Sequence, residues 1–279
     1  MSTEEGAAAP GGPASAASAA ENDATTPSKV VVVFDYDWSL VNENSDTYLF
    51  KTLAPEVYAW LKERARENPG DWTATVDASL LKMQDSGAAE LGGIQTCLEN
   101  IPVLDEMLDA VRETAASDAG ALHIVSDAND FFIRVFLEKH GLATMVDSVH
   151  TNKSFTDDEG YLRVAPYVSA EDPHTCELCP KNLCKGLVID KLGILTPDVR
   201  VLYVGDGGGD FCPGLRLRPQ DWLLVRSDES YPSALGLSKR IKAHQDERPV
   251  LARVRPWTQG SEVAQLVREA LALARRARV

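Results

Sequence analysis

The first 28 residues contain no Lys, Arg or His. Without an early positive charge or an apolar segment they do not read as a secretory signal, and without Arg they do not read as an organellar transit peptide. They are mostly Ala, Gly, Pro, Ser and Thr with a few acids. Such a stretch buries little apolar surface, so residues 1–28 are expected to be a disordered tail. Basic residues are scarce in the chain as a whole: 28 Lys and Arg stand against 42 Asp and Glu, a formal net charge of −14. A surface of this sign argues against nucleic acid and against anionic membranes as partners. No apolar run approaches the length of a membrane span, so no membrane insertion is expected. Cysteine is sparse too, five in 279 residues. The expectation is a cytoplasmic protein whose thiols stay mostly reduced. Nothing in the sequence fixes an oligomeric state.

What is present is apolar material, 44% of residues, enough for one large domain or a core domain with a small cap. Its most informative stretch runs from Val30 to Leu40. Val30-Val31-Val32-Val33-Phe34 is a short continuous apolar run, the pattern of a strand covered on both faces in a parallel α/β sheet. Asp35 and Asp37 follow on alternate residues. Ligands of such sheets bind beyond the carboxyl ends of the strands. A carboxylate there can attack phosphorus, and a second one can pass a proton to the leaving oxygen and later take one from water. Mg²⁺ would neutralise the crowded anions. Taken alone, Asp-x-Asp is equally a strand cap.

Further along, residues 42–120 carry helical patterns interrupted by Pro55 and the turn Asn68-Pro69-Gly70-Asp71. Ala121 to Ser126 reads as a second core strand ending in Ser126-Asp127-Ala128-Asn129. A hydroxyl and backbone N–H groups at a helix start can hold a phosphoryl oxygen, or the motif is a plain N-cap. A helix is expected over 129–140, strands over 145–150, 199–204, 222–225 and 250–254, and a small hairpin over 155–164 around Asp157-Asp158-Glu159-Gly160. Between the hairpin and the next helix, His174, Cys176, Cys179 and Cys184 fall within eleven residues. They offer a zinc site with Cys212 as a distant fourth sulfur; a buried thiol cluster or a redox-sensitive pair is the other reading. Gly205-Asp206-Gly207-Gly208-Gly209-Asp210 is a loop whose backbone can approach a ligand and whose two acids can reach a metal. The last helix puts Val263, Leu266, Val267, Ala270 and Leu271 on one core-facing stripe.

The run Phe34-Asp35-Tyr36-Asp37-Trp38-Ser39-Leu40-Val41-Asn42-Glu43-Asn44-Ser45-Asp46 resembles the first motif of the haloacid-dehalogenase (HAD) phosphatases. In detail it is similar to their phosphoethanolamine/phosphocholine phosphatase branch, whose relatives include pyridoxal-phosphate, pyrophosphate and thiamine-monophosphate phosphatases. Ser126-Asp127-Ala128-Asn129 matches the second motif, Cys179-Pro180-Lys181-Asn182-Leu183-Cys184-Lys185 a segment particular to the branch, and the loop before Phe211-Cys212-Pro213 the fourth. The resemblance spans almost everything from residue 30 onward. It implies an α/β fold: a Rossmann-like core with a parallel sheet (29–41 and 121–279) and a helical cap (42–120) inserted after motif one. It implies Asp35 as nucleophile, Asp37 as general acid and base, and Ser126 and Lys185 as phosphate-binding residues. Mg²⁺ would rest on Asp35, the Asp37 carbonyl, Asp206 and Asp210. Asp46 and Asp127 resemble acids that meet the substrate's amine or choline end. The chain departs from the branch at Gly208-Gly209, where Ala-Asn is usual. That change removes a side-chain hydrogen bond and adds flexibility. Hydrolysis of a small phosphorylated metabolite such as phosphoethanolamine or phosphocholine is the resulting expectation. The alternatives are another small phosphate (pyrophosphate, pyridoxal phosphate, thiamine monophosphate) and a non-catalytic phosphate-binding protein on the same fold.

Overall fold

A computed structural model describes residues 26–228 and 235–278, so the expected tail lies almost wholly outside the described residues. In chain order, β1 (Lys29–Phe34) leads through a π-type turn (Tyr36–Leu40) into α1 (Ser45–Leu53), α2 (Pro55–Glu67), α3 (Trp72–Asp85), α4 (Leu91–Glu99) and α5 (Asp105–Ala115). Then come β2 (Gly120–Asn129), α6 (Asp130–Lys139), β3 (Ser148–Thr156), β4 (Leu162–Ala165), α7 (Lys185–Leu192) and β5 (Val199–Gly205). A 3₁₀ turn (Gly208–Asp210) runs into α8 (Phe211–Gly214), followed by β6 (Trp222–Arg226), α9 (Gly236–Ala243), β7 (Arg253–Trp257) and α10 (Gly260–Arg276).

The strands form one seven-stranded sheet in the order β4-β3-β2-β1-β5-β6-β7. All neighbours are parallel except the β3–β4 hairpin. β1 is central, and the order reverses there, between β1 and β5. That is the switch point at which an open α/β sheet leaves a crevice beyond its strand ends. The valine run does what a doubly covered strand requires. Val30, Val32 and Phe34 pack with α5 and α10 through Met107, Val111, Val263 and Val267. Val31 and Val33 face the other way, onto Val188, Ile189 and Leu237 of α7 and α9.

A second apolar cluster holds α1–α4 together through Leu49, Phe50, Leu61, Val76, Leu80 and Ile94, and closes on Phe132 and Val135 of α6. α5, which the sequence division places in the insertion, buries Met107, Ala110 and Val111 in the sheet cluster instead. The insertion is also clamped to β4. Arg163 holds Asp77 of α3 with Nε and Nη2 at 3.0 and 2.6 Å. Gln84 of α3 donates to the Leu162 carbonyl at 3.0 Å and accepts from its N–H at 2.8 Å.

Three boundaries differ from expectation for local reasons. β3 begins at Ser148, because Met145 is still in a turn, its N–H bonded to the Leu142 carbonyl. β7 spans 253–257, with Arg253 opposite Trp222 and Leu251 60% exposed. As the edge strand, it accepts Pro256 because a missing donor on the solvent side costs little. Finally, Asp35 and Asp37 do not extend the strand. The N–H groups of Leu40 and Val41 turn back to the Asp35 and Tyr36 carbonyls, and Trp38 sits at φ 58°.

Candidate active site

The π-type turn after β1 is the start of the site; the Trp38 N–H bond to the Glu43 carbonyl at 3.0 Å holds it locally, and a second support comes from a distance. A bulky residue at positive φ costs of order 1–2 kcal/mol. Arg226, at the end of β6 and 1% exposed, offsets this. Its guanidinium donates to the Trp38 carbonyl and to Asn42 Oδ1, both at 2.7 Å. It also lies over the rings of Trp38 and Trp257, 5.8 and 5.1 Å from their centres. Tyr36 anchors the opposite side of the turn, edge-on to Phe136 in the core.

The turn sends its two acids to different partners. Asp35 Oδ1 accepts from the Tyr36 N–H at 2.7 Å and from Lys185 Nζ at 2.9 Å. Asp37 points to the entrance of the insertion, where Oδ1 accepts from the Ser45 N–H at 2.9 Å and Oδ2 from Asn44 Nδ2 at 3.1 Å. Asn44 in turn caps α1 by accepting from the Thr47 N–H. The general acid and base candidate is thus tied to α1, the first helix of the insertion.

Lys185, the first residue of α7, bridges two carboxylates: its Nζ is 2.9 Å from Asp35 Oδ1 and 2.9 Å from Asp210 Oδ1. Asp210 Oδ1 also accepts from the Tyr203 hydroxyl at 2.7 Å. Asp210 Oδ2 accepts from the backbone N–H groups of Asp206 and Gly207 at 3.1 and 3.0 Å. Four donors therefore meet its four lone-pair positions, and Asp210 organises the loop from within. Gly205 makes this possible, since a Cβ there would stand 2.6 Å from Asp210 Cγ. The loop that lacks the branch's Asn is held from outside by Arg240, which donates to the Gly208 carbonyl at 2.7 Å and to the Leu178 carbonyl at 2.8 Å.

Ser126 and Asp127 lie at the end of β2. Ser126 Oγ accepts from the Ala128 N–H at 3.2 Å. Asp127 Oδ1 accepts from Asn182 Nδ2 at 3.2 Å, and Asn182 also donates to Asn152 Oδ1 at 3.1 Å. A cavity of about 400 Å³ brings Asp35, Asp37, Ser126, Asp127, Lys185, Asp206 and Asp210 to one surface. Trp38, Tyr58 and Trp72 supply its aromatic wall, and Lys51 is on its rim, paired with Glu43 at 3.5 Å. Asp46 does not reach this surface. It is buried behind Trp72, whose indole N–H donates to its Oδ2 at 2.7 Å.

Electrostatics explains what the site wants. Asp35 is pushed well above the ordinary carboxylate range, first by burial and then by Asp210, against the pull of Lys185. Burial, then Asp46, raises Asp37 to about 8. Burial raises Asp46 to about 7, with Trp72 opposing and Asp127 adding to the rise. Asp127 is raised by burial, with Lys185 opposing. Burial by itself would lower Lys185; Asp210 and Asp35 outweigh it and hold the ammonium well above its usual value. Carboxylate oxygens of Asp35, Asp206 and Asp210 lie within 4.8 Å of one another, all buried. Three carboxylates around one ammonium form a set of hard oxygen donors with negative charge in excess, which fits a small divalent cation such as Mg²⁺.

Sequence reasoning missed four contributors. Arg226 carried the same signal as Asp35, a charge at the carboxyl end of a buried strand. Asn182 sits inside the cysteine-rich segment, masked by it. Tyr203 looked like one more apolar strand residue, and Arg240 like a surface charge on a short helix.

A central strand at the switch point, an acid at its tip and a helical insertion behind it make up a Rossmann-like α/β fold of the HAD type. The fold matches a phosphoserine phosphatase solved as a phospho-aspartyl intermediate analogue, with a TM-score of 0.52 at 14% identity, covering 85% of this chain and 98% of that one. A family model described as "Putative Phosphatase" matches residues 30–271. A thiamine phosphate phosphatase-like protein of Arabidopsis thaliana is 36% identical over 242 residues, 84% of this chain and 92% of the relative. Pyridoxal phosphate phosphatase PHOSPHO2 of Mus musculus is 31% identical, over 84% of this chain and 95% of its own. The chain belongs to this phosphatase family of the HAD superfamily and is a phosphoric monoester hydrolase. No helix among the described residues is long and apolar enough to cross a membrane.

Proposed function

We propose that the protein hydrolyses a small phosphomonoester whose alcohol carries a positive charge, by way of an aspartyl-phosphate on Asp35. The observation that carries this reading is the Lys185 bridge between Asp35 and Asp210, at the floor of a cavity walled by an acid and two indoles. Lys185 and the Tyr36 N–H both occupy Asp35 Oδ1, which leaves Oδ2 to attack phosphorus. The P–O bond to the alcohol breaks as the Asp35–phosphorus bond forms, and Asp37 gives its proton to the leaving oxygen. Asp37 then takes a proton from the water that attacks phosphorus, which frees inorganic phosphate and restores Asp35. Ser126 and Lys185 hold the phosphoryl oxygens throughout. Asp35, Asp206 and the Asp37 carbonyl would hold Mg²⁺, which would supply charge neutralisation there. Asp210, already met by four donors, positions Lys185 and the loop.

In the same cavity, Asp127 and the indoles of Trp38 and Trp72 suit a cationic group. Asp46 adds negative charge from behind Trp72. Phosphocholine and phosphoethanolamine fit this description. Thiamine monophosphate is a second reading, favoured by the aromatic wall, which can stack on a charged ring. Acids in these places disfavour pyrophosphate, whose second phosphate they would repel.

The test is phosphate release from a panel of these substrates with Mg²⁺, with and without EDTA. The wild type is expected to require the metal, and Asp35→Asn to lose about 10⁴-fold or more in kcat. Asp127→Asn is expected to raise KM for phosphocholine about tenfold without raising it for pyrophosphate. Full activity in Asp35→Asn would overturn the mechanism. An Asp127→Asn effect equal on both substrates would overturn the assignment of the leaving group.

A further inference from the structure

We propose that Cys176, Cys179, Cys184 and Cys212 form a structural zinc site that fastens the 166–184 segment to the floor of the catalytic cavity. The four sulfurs come from two separate stretches of chain and lie within 4.8 Å of one another. Cys176 Sγ and Cys184 Sγ stand 3.8 and 3.7 Å from Cys212 Sγ. In a tetrahedron with Zn–S bonds of about 2.3 Å, neighbouring sulfurs are about 3.8 Å apart. A disulfide would bring two of them to about 2.05 Å, and all four thiols are free. The separations are those of ligands around one ion.

The surroundings are built for sulfur. Gly186 would place a Cβ 2.5 Å from Cys212 Sγ, so only a glycine lets this thiol enter the cluster. The Leu187 N–H points at Cys184 Sγ at 3.4 Å, a contact that favours thiolate. Cys184 and Cys212 are buried, whereas Cys176 and Cys179 are half-buried, which leaves an approach for the ion from the segment's side. His174, a candidate ligand in the sequence, is engaged elsewhere. Its Nε2 donates to the Pro180 carbonyl at 2.8 Å and its Nδ1 accepts from the Cys176 N–H at 3.2 Å. It braces the Cys-x-x-Cys turn from behind, and the ligand set is four sulfurs.

The placement gives the ion a task. Cys184 precedes Lys185, and Cys212 follows Asp210 by two residues. Asn182, between the second and third cysteines, holds Asp127. Binding replaces four S–H bonds by four Zn–S bonds and releases four protons, with no change of oxidation state. The assignment does not depend on which phosphate the cavity accepts, and its readout is metal content.

The experiment is elemental analysis of the full chain, purified with reductant and passed over a weak chelator that removes Mg²⁺. One zinc per chain is expected, falling about tenfold or more in Cys176→Ser and in Cys179→Ser. Should either variant fail to fold, Co²⁺ added to the metal-free wild type gives an independent reading. The sulfur-to-cobalt charge-transfer band and the visible bands of a tetrahedral tetrathiolate are expected at one equivalent. Absence of zinc together with absence of those bands would overturn the proposal. So would a wild-type mass two hydrogens low from a disulfide among the four, or zinc retained in full by both folded variants.

Discussion

Arg226 braces the turn that carries Asp35 and Asp37, and replacing it tests that role directly. Arg226→Met keeps an apolar stem between Trp38 and Trp257 but removes the donors to the Trp38 carbonyl and Asn42 Oδ1, each now at 2.7 Å. The two half-buried acceptors would each lose a charged donor, at about 1.5–3 kcal/mol each. A loss of about 4 kcal/mol is expected, with some relief from no longer burying a charge. For a chain of this size that lowers Tm by about 10 °C, and it leaves the protein folded at 20 °C. The catalytic effect is separable from the thermal one. With one of its two supports removed, Trp38 is expected to shift from φ 58° and to displace Asp37; a displacement of about 1 Å at a reacting group costs on the order of 10²-fold. Thermal unfolding followed by circular dichroism reads the first quantity, and kcat for phosphate release at 20 °C reads the second. Arg226→Lys is expected to recover only part of both, because one ammonium cannot span two acceptors as the fork does. A Met variant with unchanged Tm and kcat would refute the view that this residue sets the turn.

Burial holds the Asp46 carboxyl up at about 7. The folded state then keeps a proton that the unfolded chain gives up near pH 4, so this group's contribution to stability is complete below about pH 4 and is lost as pH rises to about 7. Binding runs the other way: KM for phosphocholine is expected to fall as pH rises through about 7, as the carboxylate forms behind the cavity wall. Asp46→Asn should flatten that profile, and Trp72→Phe, which removes the donor at 2.7 Å, should move its midpoint upward; steady-state kinetics over a pH series decides both. Gly186→Ala is expected to destabilise by about 1–3 kcal/mol, since its Cβ would lie 2.5 Å from Cys212 Sγ, and chemical denaturation measures it.

The parts of this molecule that depend on local pattern were readable in its sequence. A run of four valines leading through Phe34 to Asp35 read as a doubly covered strand, and α10 announced its buried stripe, Val263, Val267, Ala270 and Leu271. What was not readable depends on contacts far apart in the chain. Trp38 at positive φ is held locally by its N–H bond to the Glu43 carbonyl, and the second support, Arg226, lies far along the chain. Asp210 reads from the sequence as one more loop acid, while its bonds to Tyr203 and Lys185 join it to β5 and α7. Asp46 resembles a substrate contact, yet Trp72, 26 positions later, covers it. His174 fits a ligand spacing, but its ring nitrogens serve the backbone beside it.

The clamp between α3 and β4 sets what any movement of the inserted helices would have to break. A lid that swung on its own would have to break the Asp77–Arg163 pair and both Gln84–Leu162 bonds, in addition to uncovering Phe132 and Val135. Keeping those contacts makes the β3–β4 hairpin a passenger of the helices above it, so the mechanical seam runs through the end of the sheet and not along its edge. Opening would then be shared between the chain near residues 42–44 and the hairpin's own root. The Asp37 carboxylate, hydrogen-bonded to Asn44 and Ser45 at the first of these places, would register whether the lid is down.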